Sequence, residues 1–472
     1  MYATRSASHL TAEEVRTAVL ATGRPGWIWL ETQSPDPAGR FAWMAAGHPR
    51  DWYRPSAANG RATPADWQFL ANTWRQRPSW RFGVLSYDLK SVFEPTVPQP
   101  TSPRPDEPDF LFFEPSWVLH SDGTSTTWQG HPDFSYADFE RWWEEMKAQA
   151  ADPLPSGIPA DTVPMPLSHG RALRAPSDTE YVRAAEHLQA AMRRGDIYEA
   201  NLCLRWEGEG EFDAAAVYRR WSHQAQPPQG GCAWFPGAAV VCGSPERYLQ
   251  VVGKKVLSRP IKGTAPRHPH PETDAQTAHE LALSPKERAE NTMVVDVVRN
   301  DLSRVAVPGS VAVSQWCVVE SYPTLHQMVS TVEATLSPSH DLWDAVAASF
   351  PMASMTGAPK IEAMRQIDAV EGFSRGWYSG ALGYVDPQGN ADFNVLIRSA
   401  ILTNPTATRP TDNRAGTPVA AERPVRYAQA TVGAGSALTL AAQPVPEWEE
   451  CQLKASKLLG VLTQTQETSH GH

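Results

Sequence analysis

Between Cys232 and Ile261 the chain alternates short apolar runs with turn residues. Cys232 to Phe235, Ala238 to Gly243, Arg247 to Val252 and Val256 to Ile261 are separated by elements such as Pro236-Gly237 and Gly253-Lys254. Runs this short are strands, and tight turns leave no room for the long crossover that parallel strands need. The region therefore predicts an antiparallel meander. Helices surround it. Tyr181, Ala184, Ala185, Leu188 and Met192 have helical spacing within Asp178 to Arg194, with Gly195 as the stop. Ser284-Pro285-Lys286-Glu287 is a capping box with proline at the first helical position; it opens a helix to about Val305 with Met293, Val294, Val297 and Val298 inward. Pro446 begins another helix, to about Leu462, and Ile361, Met364 and Ile367 suggest one more. Strands and helices in irregular alternation predict an α+β fold of large antiparallel sheets packed with helices, and argue against a doubly wound parallel sheet.

A chain of 472 residues holds two or three domains or one large composite. Three proline-rich stretches, Glu94 to Pro108, Asp152 to Pro176 and Thr403 to Pro424, read as surface loops. The first two divide a Trp-rich N-terminal region, residues 1–177, from a more regular region, residues 178–472. The formal charge of −10, from 42 Lys and Arg against 52 Asp and Glu, does not favour a nucleic-acid surface. No apolar run reaches the roughly 20 residues of a membrane helix. Arg5, Glu13, Glu14, Arg16 and Arg24 stand where a signal peptide would be apolar, so a cytoplasmic location is expected. The five cysteines form neither a CxxC pair nor a zinc knuckle and read as buried thiols.

Two ExxE pairs carry possible chemistry. Glu287 and Glu290 share the first turn of one helix, and Glu447 and Glu450 the first turn of another. Each pair alone is a capping device, and Glu450 can bond Lys454 at i+4. Together they would offer four hard oxygen donors suited to Mg²⁺. Lys262, in Pro260-Ile261-Lys262-Gly263-Thr264, is by itself a strand-end lysine whose amine reaches water. Glu246 on the preceding strand raises its interest: a three-residue loop centred on Lys254 would set Glu246 opposite Lys262, whereas a two-residue loop would put them on opposite faces. Gly433 and Gly435 invite a dinucleotide reading but lack the third glycine, and Thr356 to Lys360 lacks the spacing of a P-loop. His326, Tyr378 and Arg398 read singly as structural.

In order, Tyr198-Glu199-Ala200-Asn201-Leu202, Gly243-Ser244-Pro245-Glu246-Arg247, Pro260 to Thr264, Lys286 to Asn291, Val298-Arg299-Asn300-Asp301-Leu302, His326-Gln327-Met328, Thr356 to Lys360, Gly380 to Tyr384 and Gly433 to Gly435 resemble the chorismate-utilising synthases. The likeness covers about Asp178 to Leu459. It implies a Mg²⁺-dependent enzyme acting on chorismate, and the nearest branch is component I of the aminodeoxychorismate synthases. That branch carries lysine at position 262, where the anthranilate branch has alanine. The resemblance makes Lys262 a nucleophile at C2 and Glu246 its acid-base partner or that of the departing hydroxyl, with His326 assisting near the ring. It makes Glu287, Glu290, Glu447 and Glu450 the Mg²⁺ ligands. By the same resemblance, Thr264, Thr356, Tyr378, Arg398, Lys454 and the amides of Gly433, Ala434 and Gly435 are expected to bind the substrate.

Met352-Ala353 departs from the two glycines usual in the family, and Ser436 to Ala442 from an acidic-serine segment. Glu199 replaces the glutamine of aminating members and the lysine of isochorismate-forming ones, with its role open. Trp29-Leu30-Glu31-Thr32 loosely resembles an element near the family's tryptophan site, so tryptophan is an expected ligand. No Gly-x-Cys-x-Gly element occurs, so ammonia is expected from a glutaminase subunit. The expected product is 4-amino-4-deoxychorismate for p-aminobenzoate and folate. Rival readings are anthranilate synthase component I, a non-catalytic chorismate- or tryptophan-binding regulatory subunit, and a dinucleotide oxidoreductase.

Overall fold

The computed structural model describes residues 2–32, 39–99, 104–150, 177–406 and 425–463. Among these, nineteen strands join in one sheet, antiparallel at every pairing, with helices packed against it. The α+β expectation is met. The hub is the strand Phe110–Ser121. One edge pairs with Trp43–Tyr53; the other pairs with Arg81–Leu85 and Thr126–Gly130, end to end.

Two arms leave this hub. The first runs from Trp43–Tyr53 through Trp27–Glu31, Gln229–Phe235, Ala238–Ser244, Ser399–Thr406 and Arg426–Thr439 to Glu199–Asp213 and Gly357–Ala358. The second runs from Arg81–Leu85 through Ala381–Val385, Ala391–Val395, Arg247–Val252 and Lys255–Arg259 to Leu325–Thr335, which Ala312–Ser321 and Ile261–Pro266 flank. The chain crosses between the arms at residues 244–247 and again at 395–399. The crossings are tied together, since Val395 N–H donates to the Glu246 carbonyl at 3.0 Å and Gly243 N–H to the Arg398 carbonyl at 3.2 Å.

These crossings correct the predicted meander. The region is two hairpins, Gln229–Phe235 with Ala238–Ser244 and Arg247–Val252 with Lys255–Arg259, which lie in different arms. Pro245 lies between them, where its missing N–H takes nothing from a ladder. The hairpin loop is the two-residue one, Val252 facing Lys255. Its parity does not reach Lys262, because the register shifts between Arg247 and Gln250 and the strand ends at Arg259, before Pro260.

The run Arg426–Thr439 is one continuous strand through Gly433 and Gly435, which removes the strand-turn-helix that dinucleotide binding needs. Residues 403–406, expected in a loop, extend the strand Ser399–Thr406. Pro405 is tolerated there because the Ala238–Ser244 neighbour has ended at Thr403, leaving that edge without a ladder partner. Residues 152–176 and 407–424 of the proline-rich stretches lie outside the described residues.

The helices follow their caps. Ser177 and Glu180 form a reciprocal capping box for Asp178–Arg194, which Gly195 closes at φ 82°. The Ser284 hydroxyl accepts from Glu287 N–H to start Pro285–Ser303. The buried stripe of that helix is Glu290, Asn291, Val294, Val295, Val298 and Leu302, while Met293 and Val297 flank it half-buried. The final helix, Pro444–Thr463, begins two residues before Pro446. All five cysteines are free and buried, and no helix among the described residues is long and apolar enough to cross a membrane.

The division at 177/178 is not a division of the sheet. Trp27–Glu31 pairs with Gln229–Phe235, and Arg81–Leu85 with Ala381–Val385. Two strands of the region 178–472 thus take neighbours from the N-terminal region. A chain beginning at residue 178 is expected to give no cooperative transition in a circular-dichroism melt where the full chain gives one.

Candidate active site

Lys262 stands where the second arm ends, next to the first. The crossing from Pro260 and the register shift between Ile261 and Thr264 turn its side chain inward, leaving it 8% exposed, while Thr264 is exposed. Gly263, at φ 91°, makes the bend; a Cβ there would lie 2.9 Å from Glu287 Oε2. Glu199, 1% exposed and first in the long strand Glu199–Asp213, places Oε1 2.6 Å from Lys262 Nζ. Burial acts to lower the affinity of the amine for its proton. The charges of Glu199, Glu290 and Glu246 outweigh that effect and hold the Lys262 pKa above the usual lysine value.

Glu246 projects from the crossing segment and is buried. Burial pushes its carboxyl up to about 7, partly offset by the neighbouring Ser354 hydroxyl, the Lys262 charge and the Ile261 N–H. It is therefore a carboxyl that holds or releases a proton near neutrality, the property a general acid needs.

The two ExxE pairs converge, which sequence alone could not show. Lys286 Nζ lies 2.9 Å from Glu447 Oε1 and 3.9 Å from Glu290 Oε1, joining the starts of the two helices. Lys454 Nζ lies 2.5 Å from Glu450 Oε1 and donates to the Gly435 carbonyl at 2.9 Å. Burial pushes Glu290 up to about 7, and its Oε1 has no hydrogen-bond partner. Glu287 is raised by burial, and the Glu450 charge adds to the shift. For Glu450 burial is outweighed by Lys454, which holds the carboxyl below its ordinary value. Among the described residues no three His, Cys, Asp or Glu side chains are grouped closely enough to cage a metal ion. The donor chemistry nonetheless fits a hard divalent cation: four carboxylates, of which Glu290 and Glu447 are buried and Glu290 has an orphaned oxygen, in excess over the local lysines.

The predicted substrate-binding groups adjoin this cluster. Gly433 permits the Tyr378 ring to lie flat on the strand, since a Cβ would come 2.3 Å from it; at Gly435 a Cβ would meet Asn201 Oδ1 at 2.4 Å. Tyr378 is buried, its hydroxyl 3.7 Å from Cys203 Sγ. Arg398, at φ 52°, donates to the Lys454 carbonyl at 2.7 Å, and burial depresses its pKa. Thr356 is fully buried and donates to the backbone of Met352 and Ala353. Ala434 pairs with Leu204 within the strand. His326, which pairs with Ala265 in the strand that carries Lys262, is buried with its ring nitrogens 2.9 Å from Asp274 Oδ1 and 2.7 Å from Ser321 Oγ. Lys286 and Asp274 were missed in the sequence, because each acts through a partner far along the chain. Leu30, Glu31 and Thr32, but not Trp29, line a separate cavity with Trp43, Arg247 and Asp392.

The chorismate binding enzyme family matches residues 43–460. The aminodeoxychorismate synthase of Streptomyces griseus is 34% identical over 389 residues, which cover 80% of this chain and 49% of that protein. The chain thus spans about half the length of that relative. Aminodeoxychorismate synthase component 1 of Klebsiella aerogenes is 41% identical over 318 residues, 67% of either chain. In fold, the chain is similar to anthranilate synthase component I from Streptococcus pneumoniae, with a TM-score of 0.69 and 22% identity over 90% of this chain and 93% of that one. It is also similar to MenF, the menaquinone-specific isochorismate synthase of Escherichia coli, with a TM-score of 0.70 and 16% identity over 98% and 94%. With most of its length matched by one family and its sheet shared with these structures, the chain belongs to the chorismate binding enzymes.

Proposed function

We propose that the chain aminates chorismate at C4, giving 4-amino-4-deoxychorismate for p-aminobenzoate and folate synthesis in the cytoplasm, with ammonia supplied by a glutaminase subunit. The observation that carries this reading is Lys262: a buried amine, held among glutamates, at the position where the resemblance sets a nucleophile. The amine adds at C2 while the C4–O bond breaks, and Glu246 donates a proton so that the hydroxyl leaves as water. Ammonia then attacks C4, the C2–N bond breaks, and its electron pair returns to Lys262. Two allylic displacements put nitrogen where oxygen stood.

Arg398, Lys454 and the backbone of Gly433 to Gly435 would hold the substrate carboxylates. Glu287, Glu290, Glu447 and Glu450 would hold Mg²⁺, directly or through water. When bound, the metal would withdraw charge through the ring carboxylate as a Lewis acid. Tryptophan is assigned to the separate cavity beside Trp29 to Thr32, and a calorimetric titration without heat overturns that assignment.

With chorismate, Mg²⁺ and an ammonium salt, the product is identified by chromatography and mass spectrometry. Aminodeoxychorismate is expected from the wild type, with Lys262→Ala slower by on the order of a thousandfold or more. Anthranilate from both proteins overturns the reading. At fixed free ammonia, kcat should fall as pH rises above about 7, where Glu246 loses its proton; Glu246→Gln should remove that limb along with most of the rate. A carboxyl whose folded pKa is raised costs stability as pH rises from its ordinary value toward the folded one, here to about 7 for Glu290. Glu290→Gln should therefore raise Tm at pH 8 without metal. It should also abolish the rise in Tm that Mg²⁺ gives the wild type.

A further inference from the structure

The amination reading leaves one proton without a destination. Lys262 is a cation, and a cation cannot attack C2. Five carboxylates surround it in addition to the substrate. Glu246 comes from the crossing segment, Glu287 and Glu290 from the helix Pro285–Ser303, Glu450 from the helix Pro444–Thr463, and Glu199 from the strand Glu199–Asp213. Of these, Glu199 alone makes an ion pair with the amine, at 2.6 Å and with both side chains buried. Glu246 is the proton donor to the departing hydroxyl, so it starts the reaction protonated and is not free to accept. Glu290 and Glu447 lie beside Lys286, and Glu450 pairs with Lys454; Glu287 has its Oε2 beside Gly263.

We propose that Glu199 is the general base that takes the proton from Lys262, an inference that rests on the amination reading. The chain then divides acid and base between two carboxyls on either side of one amine. Lys262-NH₃⁺ and Glu199-COO⁻ become Lys262-NH₂ and Glu199-COOH. The amine forms the C2–N bond as the C4–O bond breaks, and the hydroxyl takes the Glu246 proton and leaves as water. The adduct nitrogen is positively charged with two hydrogens. Attack of neutral ammonia at C4 puts the positive charge on the new C4 nitrogen, and Lys262 departs as the neutral amine. Glu199-COOH returns its proton to Lys262, and Glu246 recovers one from the product ammonium.

Replacing a glutamate that merely oriented the amine would lower the rate equally at every pH, and replacing one that merely held its charge would free the amine and spare the rate at low pH; replacing a base lowers the rate only while the amine still carries its proton.

The test compares full-length wild type, Glu199→Gln and Glu199→Asp at saturating chorismate and Mg²⁺ and fixed free ammonia from pH 6 to 10, with aminodeoxychorismate as the readout. The wild-type to Glu199→Gln ratio of kcat should be about a hundredfold or more at pH 6. It should narrow by up to about tenfold per pH unit as Lys262 deprotonates unaided, with the KM for chorismate unchanged. The ratio cancels the limb that Glu246 imposes on both proteins. Glu199→Asp, which keeps a carboxylate, should follow the wild-type pH dependence at a lower rate, and it carries the test if the glutamine variant does not fold. A ratio constant with pH, or no loss in Glu199→Gln, overturns the inference and leaves the amination reading standing. Wild type that yields no aminodeoxychorismate at any pH overturns the amination reading itself.

Discussion

The buried pair between Lys262 and Glu199 joins the two arms of the sheet by charge. Taking both ions out of water costs several kcal/mol apiece, and the attraction between them roughly offsets it only when the geometry is close. At 2.6 Å it is close. The strands that bring the two residues together are set by pairings elsewhere: Glu199 faces Thr439 and Ala358 in one ladder, and Ile261 faces Val329 in another. Removing Lys262 would leave Glu199 buried and uncompensated, a loss of about 3–5 kcal/mol. The pair is therefore a demand on the fold as much as a product of it, since the ladders must hold the two strand ends within one hydrogen bond.

Much of the fold was legible because its determinants are local. Ser177 with Glu180, Gly195, Ser284 with Pro285, and the turns at Pro236-Gly237 and Gly253-Lys254 specify their elements within a few residues, and the structure has them there. What could not be read was long-range. Nothing near Pro245 says that the next strand joins the other arm, and nothing near residue 178 says that Gln229–Phe235 pairs with Trp27–Glu31. Helix ends moved by a residue or two, as at Pro444, where an apolar turn precedes the proline taken as the start.

The same distinction governs the site. Lys262 and the ExxE pairs stood out by residue type and spacing, yet their convergence depends on Lys286 reaching Glu447 across 161 positions of sequence. The parity argument for Glu246 and Lys262 is instructive. It was sound for an unbroken hairpin, and the two-residue loop would have separated the two side chains. A register shift and a proline intervene, and the two side chains come near enough for the Lys262 charge to act on the Glu246 carboxyl. Thr264 shows the converse: two positions from Lys262 in an even strand it would share its face, and the bend at Gly263 turns it out to solvent.

Charge at the centre of the molecule also explains why a metal belongs in the proposed reaction. Glu199, Glu246, Glu287, Glu290, Glu447 and Glu450 share one neighbourhood with Lys262, Lys286, Lys454 and Arg398, running from buried side chains out to the exposed Lys286 and Glu450, and the carboxylates outnumber the cations. The protein relieves that excess with protons, and two of the six carboxyls are held near neutrality, Glu246 and Glu290, both by burial. Chorismate carries two carboxylates of its own and would deepen the imbalance. The two protons are not equivalent. In the proposed reaction the one on Glu246 goes to the departing hydroxyl, whereas Glu290, whose Oε1 has no hydrogen-bond partner, would exchange its proton for the proposed cation. Metal and substrate should therefore bind cooperatively, each reducing the electrostatic cost of the other, with Glu290 giving up its proton as the metal enters.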